Sequence, residues 1–119
     1  MRVLVVDDER MTRRVLARRL RMARIEVIEA SDGREALDEV RKHAPDVIIS
    51  DVQMPNVDGV ELVRALRSAG CSTKVYLMSG DTGMLHDAVE ELLNTGEVEH
   101  LFEKPAGIAE LLRQLRQAA

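Results

Sequence analysis

The sequence predicts an α/β fold, a (βα)5 doubly wound parallel sheet, and three observations carry that prediction. Five short β-rich runs alternate with five longer amphipathic stretches along the chain. Runs such as Val3-Leu4-Val5-Val6 and Val47-Ile48-Ile49 are apolar on both faces, as expected of strands covered by helices on each side. With 119 residues the alternation is too short to close an eight-stranded barrel, which leaves an open sheet.

The strands are expected at residues 3–8, 25–30, 46–51, 74–79 and 99–104. The second sets Ile25 and Val27 against Glu26 and Glu29, a pattern suited to a sheet edge. In the first helix, over 10–24, Met11, Val15, Leu16, Leu20 and Ala23 recur at helical spacing, and Arg10, Arg13, Arg14, Arg18 and Arg21 take the other face. The second helix begins near Ser31-Asp32-Gly33, carries Ala36, Leu37 and Val40 inward, and stops before Pro45. The third runs from about Asp58 through Leu62, Val63 and Leu66 to a C-cap at Gly70. Leu85, Ala88, Val89, Leu92 and Leu93 mark the fourth, and Ile108, Leu111, Leu112 and Leu115 the last.

Length and composition narrow the function classes. Residues 1–119 read as one domain, and 45% apolar with 32% charged residues is a globular composition. The net charge of −4 argues against nonspecific nucleic-acid binding by this domain. A lone cysteine, Cys71, excludes an internal disulfide and fits a reducing compartment, so a cytoplasmic location is expected. No apolar run approaches the roughly 20 residues of a membrane span, and the opening Met1-Arg2 leads straight into strand-like sequence. Neither membrane insertion nor export is therefore expected.

In an open doubly wound sheet, ligands collect outside the carboxyl ends of the strands. Those ends carry Asp7 and Asp8, Asp51, Ser79 and Lys104. Three carboxylates at one edge would repel unless a hard, oxygen-preferring cation sat among them, and Mg2+ suits that role. A lysine and a hydroxyl nearby supply donors for an anion. Cation site plus anion donors is a combination that handles phosphoryl groups.

The chain resembles the receiver domain of two-component response regulators, the family that includes chemotaxis regulators. The resemblance runs from Val3 to about Leu115 and rests on VVDD at 5–8, SDVQMPNVDG at 50–59, SG at 79–80 and EKP at 103–105. It implies a flavodoxin-like sheet in the strand order 2-1-3-4-5. It also implies a Mg2+ site made by Asp8, Asp51 and the backbone carbonyl of Gln53, with Asp7 assisting through water. By the same resemblance Asp51 accepts a phosphoryl group from a histidine kinase or histidine phosphotransfer protein, and Ser79 and Lys104 contact it. The acyl phosphate would hydrolyse slowly, making the domain its own phosphatase rather than an enzyme acting on other molecules. Output is implied through a conformational shift of helix 4, strand 5 and helix 5, toward a downstream protein, a fused output domain or a homodimer. Lys104-Pro105 resembles the family's cis-proline turn.

Two departures stand out. Leu101 occupies the position, three before the lysine, where the family usually has an aromatic residue, and Phe102 faces the other side, toward the core. The Gly-Ala common before strand 5 is absent, so a longer or irregular fourth helix and an altered output face are expected. Gln53 and Asp81, each two residues beyond a site residue, sit where the family tunes dephosphorylation.

Simpler readings stand beside these. Asp7-Asp8 alone could be a strand-end charge cluster, and Ser79 alone a turn or cap serine. The arginine face of the first helix reads first as a solvated surface and, more sharply, as a dock for an acidic partner. His43, His86 and His100 lack metal-ligand spacing, Cys71 is a bystander, and Met78 and Met84 are core filler. Two other functions compete: a phosphorylation-independent pseudo-receiver that only binds, and a small aspartate-nucleophile phosphatase. Val52-Gln53 after Asp51 breaks the Asp-x-Asp pair that the phosphatase needs.

Overall fold

The computed structural model describes residues 1–80, 83–104 and 107–118. The elements alternate as expected: β1 Arg2–Val6, α1 Arg10–Met22, β2 Glu26–Ala30, α2 Gly33–His43, β3 Val47–Asp51, α3 Gly59–Ser68, β4 Lys74–Ser79, α4 His86–Asn94, β5 His100–Glu103 and α5 Ile108–Ala118. All neighbouring strands are parallel, in the order β2-β1-β3-β4-β5. This is the flavodoxin-like doubly wound sheet expected from the sequence. None of the helices is long and apolar enough to cross a membrane, among the described residues.

Strand alternation divides the core in two. Leu4, Val6, Ile48, Val75 and Leu77 face α2, α3 and α4, where they meet Leu62, Leu66, Val89 and Leu92. Val3, Val5, Ile49, Tyr76, Met78 and Phe102 face α1 and α5, against Leu16, Leu20, Leu111 and Leu115. Each fully buried aliphatic side chain of this kind contributes about 1.5–3 kcal/mol. β1, β3 and β4 are thus packed on both faces, which explains their unbroken apolar runs.

Local chemistry fixes the helix starts that border the carboxyl edge. Asp32 caps α2 by accepting from the Glu35 amide at 2.8 Å. α3 opens with a reciprocal capping box between Asp58 and Glu61. Gly59 lets that helix approach the end of β3: a Cβ there would lie 2.4 Å from the Asp51 carbonyl oxygen.

The packing differs from the sequence reading in three places. Met11 and Val15 are 72% and 49% exposed, because α1 touches the sheet through the narrow stripe of Leu16, Ala17 and Leu20. Glu29 shares the face of Ile25 and Val27, since residues two apart on a strand point the same way, and it ion-pairs with α1 instead of facing solvent. Met84 is fully exposed. Of the two alternatives expected for α4, the structure has the irregular one and not the longer one. The helix spans nine residues after a 3-10 turn at Gly83–Leu85, and Val98 in the following loop is buried in place of a further helical turn.

Phe102 is buried beside Tyr76, at 5.8 Å between ring centroids, while Leu101 packs half-buried on the opposite face. His43, His86 and His100 lie on the surface. Asp81 and Pro105, and with Pro105 the expected cis-proline turn, lie outside the described residues.

Candidate functional site

The carboxyl edge of the sheet brings the three aspartates together. Asp7 leaves β1 with its amide bonded to the Ala30 carbonyl of β2 at 3.1 Å, and Asp51 is the last residue of β3. One carboxylate oxygen from each of Asp7, Asp8 and Asp51 falls within 4.8 Å of the others. Asp7 is completely buried, Asp51 half-buried and Asp8 exposed.

Lys104, just beyond β5, closes the cluster. Its Nζ donates to Asp7 Oδ2 at 2.7 Å and lies 3.2 Å from Asp51 Oδ2. The other Asp7 oxygen accepts from the Glu9 amide at 2.9 Å, so both oxygens of this buried carboxylate are engaged. Burial pushes the Asp51 carboxyl above its ordinary value; Lys104 pulls it down, and Asp7 and Asp8 push it further up. Burial alone would lower Lys104, but its bonds to Asp7 and the charges of Asp51 and Asp7 hold it above the usual lysine value.

Among the described residues, three carboxylates against one ammonium leave two negative charges uncompensated. The donor set consists of hard oxygens at close range. It fits a small divalent cation such as Mg2+, and it fits poorly the nitrogen and sulfur preferences of softer metals.

Ser79 ends β4, paired in register with Glu103, and its carbonyl accepts from the Lys104 amide at 3.0 Å. Its Oγ is the one buried side-chain polar atom without a hydrogen-bond partner among the described residues. Such an orphan is unfavourable by about 1–3 kcal/mol. Gln53 is exposed in the loop after β3, with its side-chain amide against Gly83: a Cβ there would lie 2.9 Å from Nε2.

Reading the sequence missed one residue at this edge. Arg13 belongs to the arginine face of α1, which reads as a solvated surface or a dock, yet its side chain is only 14% exposed, and it binds the Asp7 carbonyl at 2.9 Å and Glu29 at 3.2 Å. The available signal was the parity of Glu29 with Val27, which turns that acid toward α1.

The chain is similar to known proteins over nearly its whole length. A family described as "Response regulator receiver domain" matches residues 3–116. The response regulator MprA of Mycolicibacterium vanbaalenii is 39% identical over 118 residues, which are 97% of this chain and 48% of that protein. The chain thus spans about half the length of the curated relatives it matches. Among solved structures, the chemotaxis protein CheY4 of Vibrio cholerae superposes with a TM-score of 0.83 at 34% identity, covering 99% of this chain and 98% of that one. TrrA of Thermotoga maritima, solved in complex with Mg(2+)-BeF, gives 0.82 at 26% identity over 99% and 98% of the two chains. With the sheet order and the carboxyl-edge cluster, these matches establish that the chain belongs to the response regulator receiver domain family of two-component systems.

Proposed function

We propose that residues 1–119 form one receiver domain that takes a phosphoryl group onto Asp51 and signals through the resulting change in conformation. The observation that carries this reading is the convergence of Asp7, Asp8 and Asp51 with Lys104 bonded between two of them. A carboxylate is a weak nucleophile, but phosphoryl transfer through a loose transition state depends mainly on in-line positioning and neutralised oxygens.

In this reading a carboxylate oxygen of Asp51 attacks the phosphorus of a phosphohistidine on a histidine kinase or phosphotransfer protein. The new P–O bond forms as the P–N bond breaks, and the electron pair stays on the imidazole nitrogen. Lys104 would turn part of its bonding from Asp51 to a phosphoryl oxygen, and the orphaned Ser79 hydroxyl would donate to another. Asp8, Asp51 and the Gln53 carbonyl would hold Mg2+, with Asp7 supporting its water. The bound cation would supply charge neutralisation for the transferring group. Slow attack by water on the same phosphorus would return Asp51 and inorganic phosphate. By the family resemblance, Gln53, exposed two residues beyond Asp51, and Asp81 would modulate that access, so substituting either should change phosphoryl lifetime more than stability. The partner receiving the signal is a downstream protein, a fused output domain or a second copy meeting α4, β5 and α5, in a cytoplasmic setting.

The deciding experiment is intact mass after incubation with acetyl phosphate and Mg2+, beside Asp51→Asn and an EDTA-treated sample. A gain of one phosphoryl group, lost in both controls, is expected. A wild-type chain that binds Mg2+ yet gains nothing would overturn the reading in favour of phosphorylation-independent binding.

A further inference from the structure

The Asp8 carboxylate is exposed, so its position depends on the backbone that presents it. That backbone is unusually well held on one side. The Asp7 amide, both Asp7 carboxylate oxygens and the Asp7 carbonyl are each bonded, to Ala30, Glu9, Lys104 and Arg13 respectively. The carbonyl belongs to the peptide that joins Asp7 to Asp8. Fixing its oxygen fixes the plane from which Asp8 departs.

Arg13 can hold that oxygen because it is itself held. Its Nη1 donates to the Asp7 carbonyl at 2.9 Å, and its Nε pairs with Glu29 Oε1 at 3.2 Å. The second Glu29 oxygen is engaged by Arg21 at 3.3 Å. At 14% and 22% side-chain exposure, Arg13 and Glu29 are better shielded than most surface pairs. The planar fork of arginine satisfies carbonyl and carboxylate at once, which the single ammonium of lysine does less well.

We infer that Arg13, braced by Glu29, is a positioning residue that sets the Asp8 carboxylate for the divalent cation. The inference rests on the reading of Asp7, Asp8 and Asp51 as a Mg2+ site. It ties the edge strand β2 and helix α1 to the cation through a chain of hydrogen bonds. It also separates this arginine from Arg14, which is exposed on the same helix.

The sign of the effect distinguishes positioning from plain electrostatics. Removing a positive charge beside an acidic cluster should, by Coulomb's law alone, tighten a cation. Loss of the brace should instead weaken it, by about tenfold for Arg13→Met, as typical for groups that orient metal ligands. Calorimetric titration with MgCl2 would compare wild type, Arg13→Met, Arg13→Lys, Glu29→Gln and Arg14→Met. The affinity should be lowest in Arg13→Met and intermediate in Arg13→Lys and Glu29→Gln, with Arg14→Met equal to wild type or slightly tighter. Backbone amide resonances of Asp8 and Glu9 should move in Arg13→Met and stay in Arg14→Met. Phosphorylation by acetyl phosphate at saturating Mg2+ should return to within about twofold of wild type, a split between binding and turnover.

Unchanged or tighter Mg2+ binding in folded Arg13→Met, or in both milder variants where that one does not fold, would overturn the inference alone. A wild-type chain without Mg2+ affinity would overturn the functional reading and this inference together.

Discussion

Lys104 reaches from the end of β5 to the buried Asp7 carboxylate at 2.7 Å, bridging residues that lie at opposite ends of the chain. Its ammonium also lies against Asp51 at 3.2 Å, so one cation serves two acids that would otherwise repel. Removing it leaves the buried Asp7 carboxylate short of its main partner. Lys104→Met should therefore lower unfolding free energy by about 3–5 kcal/mol, as for other broken buried pairs. Urea unfolding with and without MgCl2 checks this, and Mg2+ should stabilise the variant more than wild type. A loss below about 1 kcal/mol, typical of surface pairs, would show that the bridge carries little. Because Lys104 is held above its ordinary value, its contribution is complete below pH 10.5 and disappears as pH rises through the folded value.

The orphaned Ser79 hydroxyl makes an opposite prediction for the resting and phosphorylated states. Ser79→Ala removes a buried group with no partner, so the resting chain should be as stable as wild type or gain about 1 kcal/mol. The beryllofluoride-bound form should lose the donor and bind the analogue more weakly. Thermal melts with and without beryllofluoride and Mg2+ would show the crossing, and a resting variant markedly less stable than wild type would refute it.

Asp51 sets a pH dependence whose sign follows from burial. Its folded value lies above 3.8, so the folded chain binds this proton more tightly than the unfolded chain does. The stabilisation from the protonated form is present below 3.8 and is lost as pH rises through the folded value, leaving ionised Asp51 as a liability at neutrality. Asp51→Asn should accordingly be more stable than wild type at pH 7 without metal, with the advantage shrinking as pH falls toward 4. Taking the difference between the two proteins removes the titration of the other acids. A difference that stays constant with pH would contradict the assignment.

How much of this could be read in the sequence follows from what each signal depends on. The strands are marked by β-branched runs with period-two packing, and the starts of α2 and α3 by Asp32 and Asp58, whose caps need only local geometry. The convergence of Asp7, Asp51, Ser79 and Lys104 at one edge follows from parallel topology alone. Helix orientation does not. Met11 and Val15 satisfy the helical period as well as Leu16 does, and only the contact of α1 with β1, β2 and α5 decides which stripe is buried. The role of Arg13 was hidden for the same reason, since an arginine among arginines acquires meaning only when Glu29 turns toward it.

Far from this edge, Arg67 ties together the loops that deliver β4 and β5. Its guanidinium donates to the carbonyls of Cys71 and Thr73, each at 2.8 Å, and of Glu97 at 2.6 Å. Three charge-assisted bonds to loop carbonyls would leave three acceptors in need of water when the side chain is truncated. Arg67→Ala should destabilise the chain by about 2–3 kcal/mol, and Arg67→Lys should recover only part, because one ammonium cannot span three carbonyls in the guanidinium's geometry. Phosphorylation at Asp51 should remain, because these loops lie at the amino ends of the strands. Cys71, half-buried with its Sγ 3.2 Å from Thr73 Oγ1, reports the loop directly. Its reaction with a thiol reagent under native conditions should accelerate in Arg67→Ala, as local opening becomes less costly than global unfolding. An unchanged thiol rate with a lowered melting temperature would mean that Arg67 supports the fold as a whole and does not hold this loop.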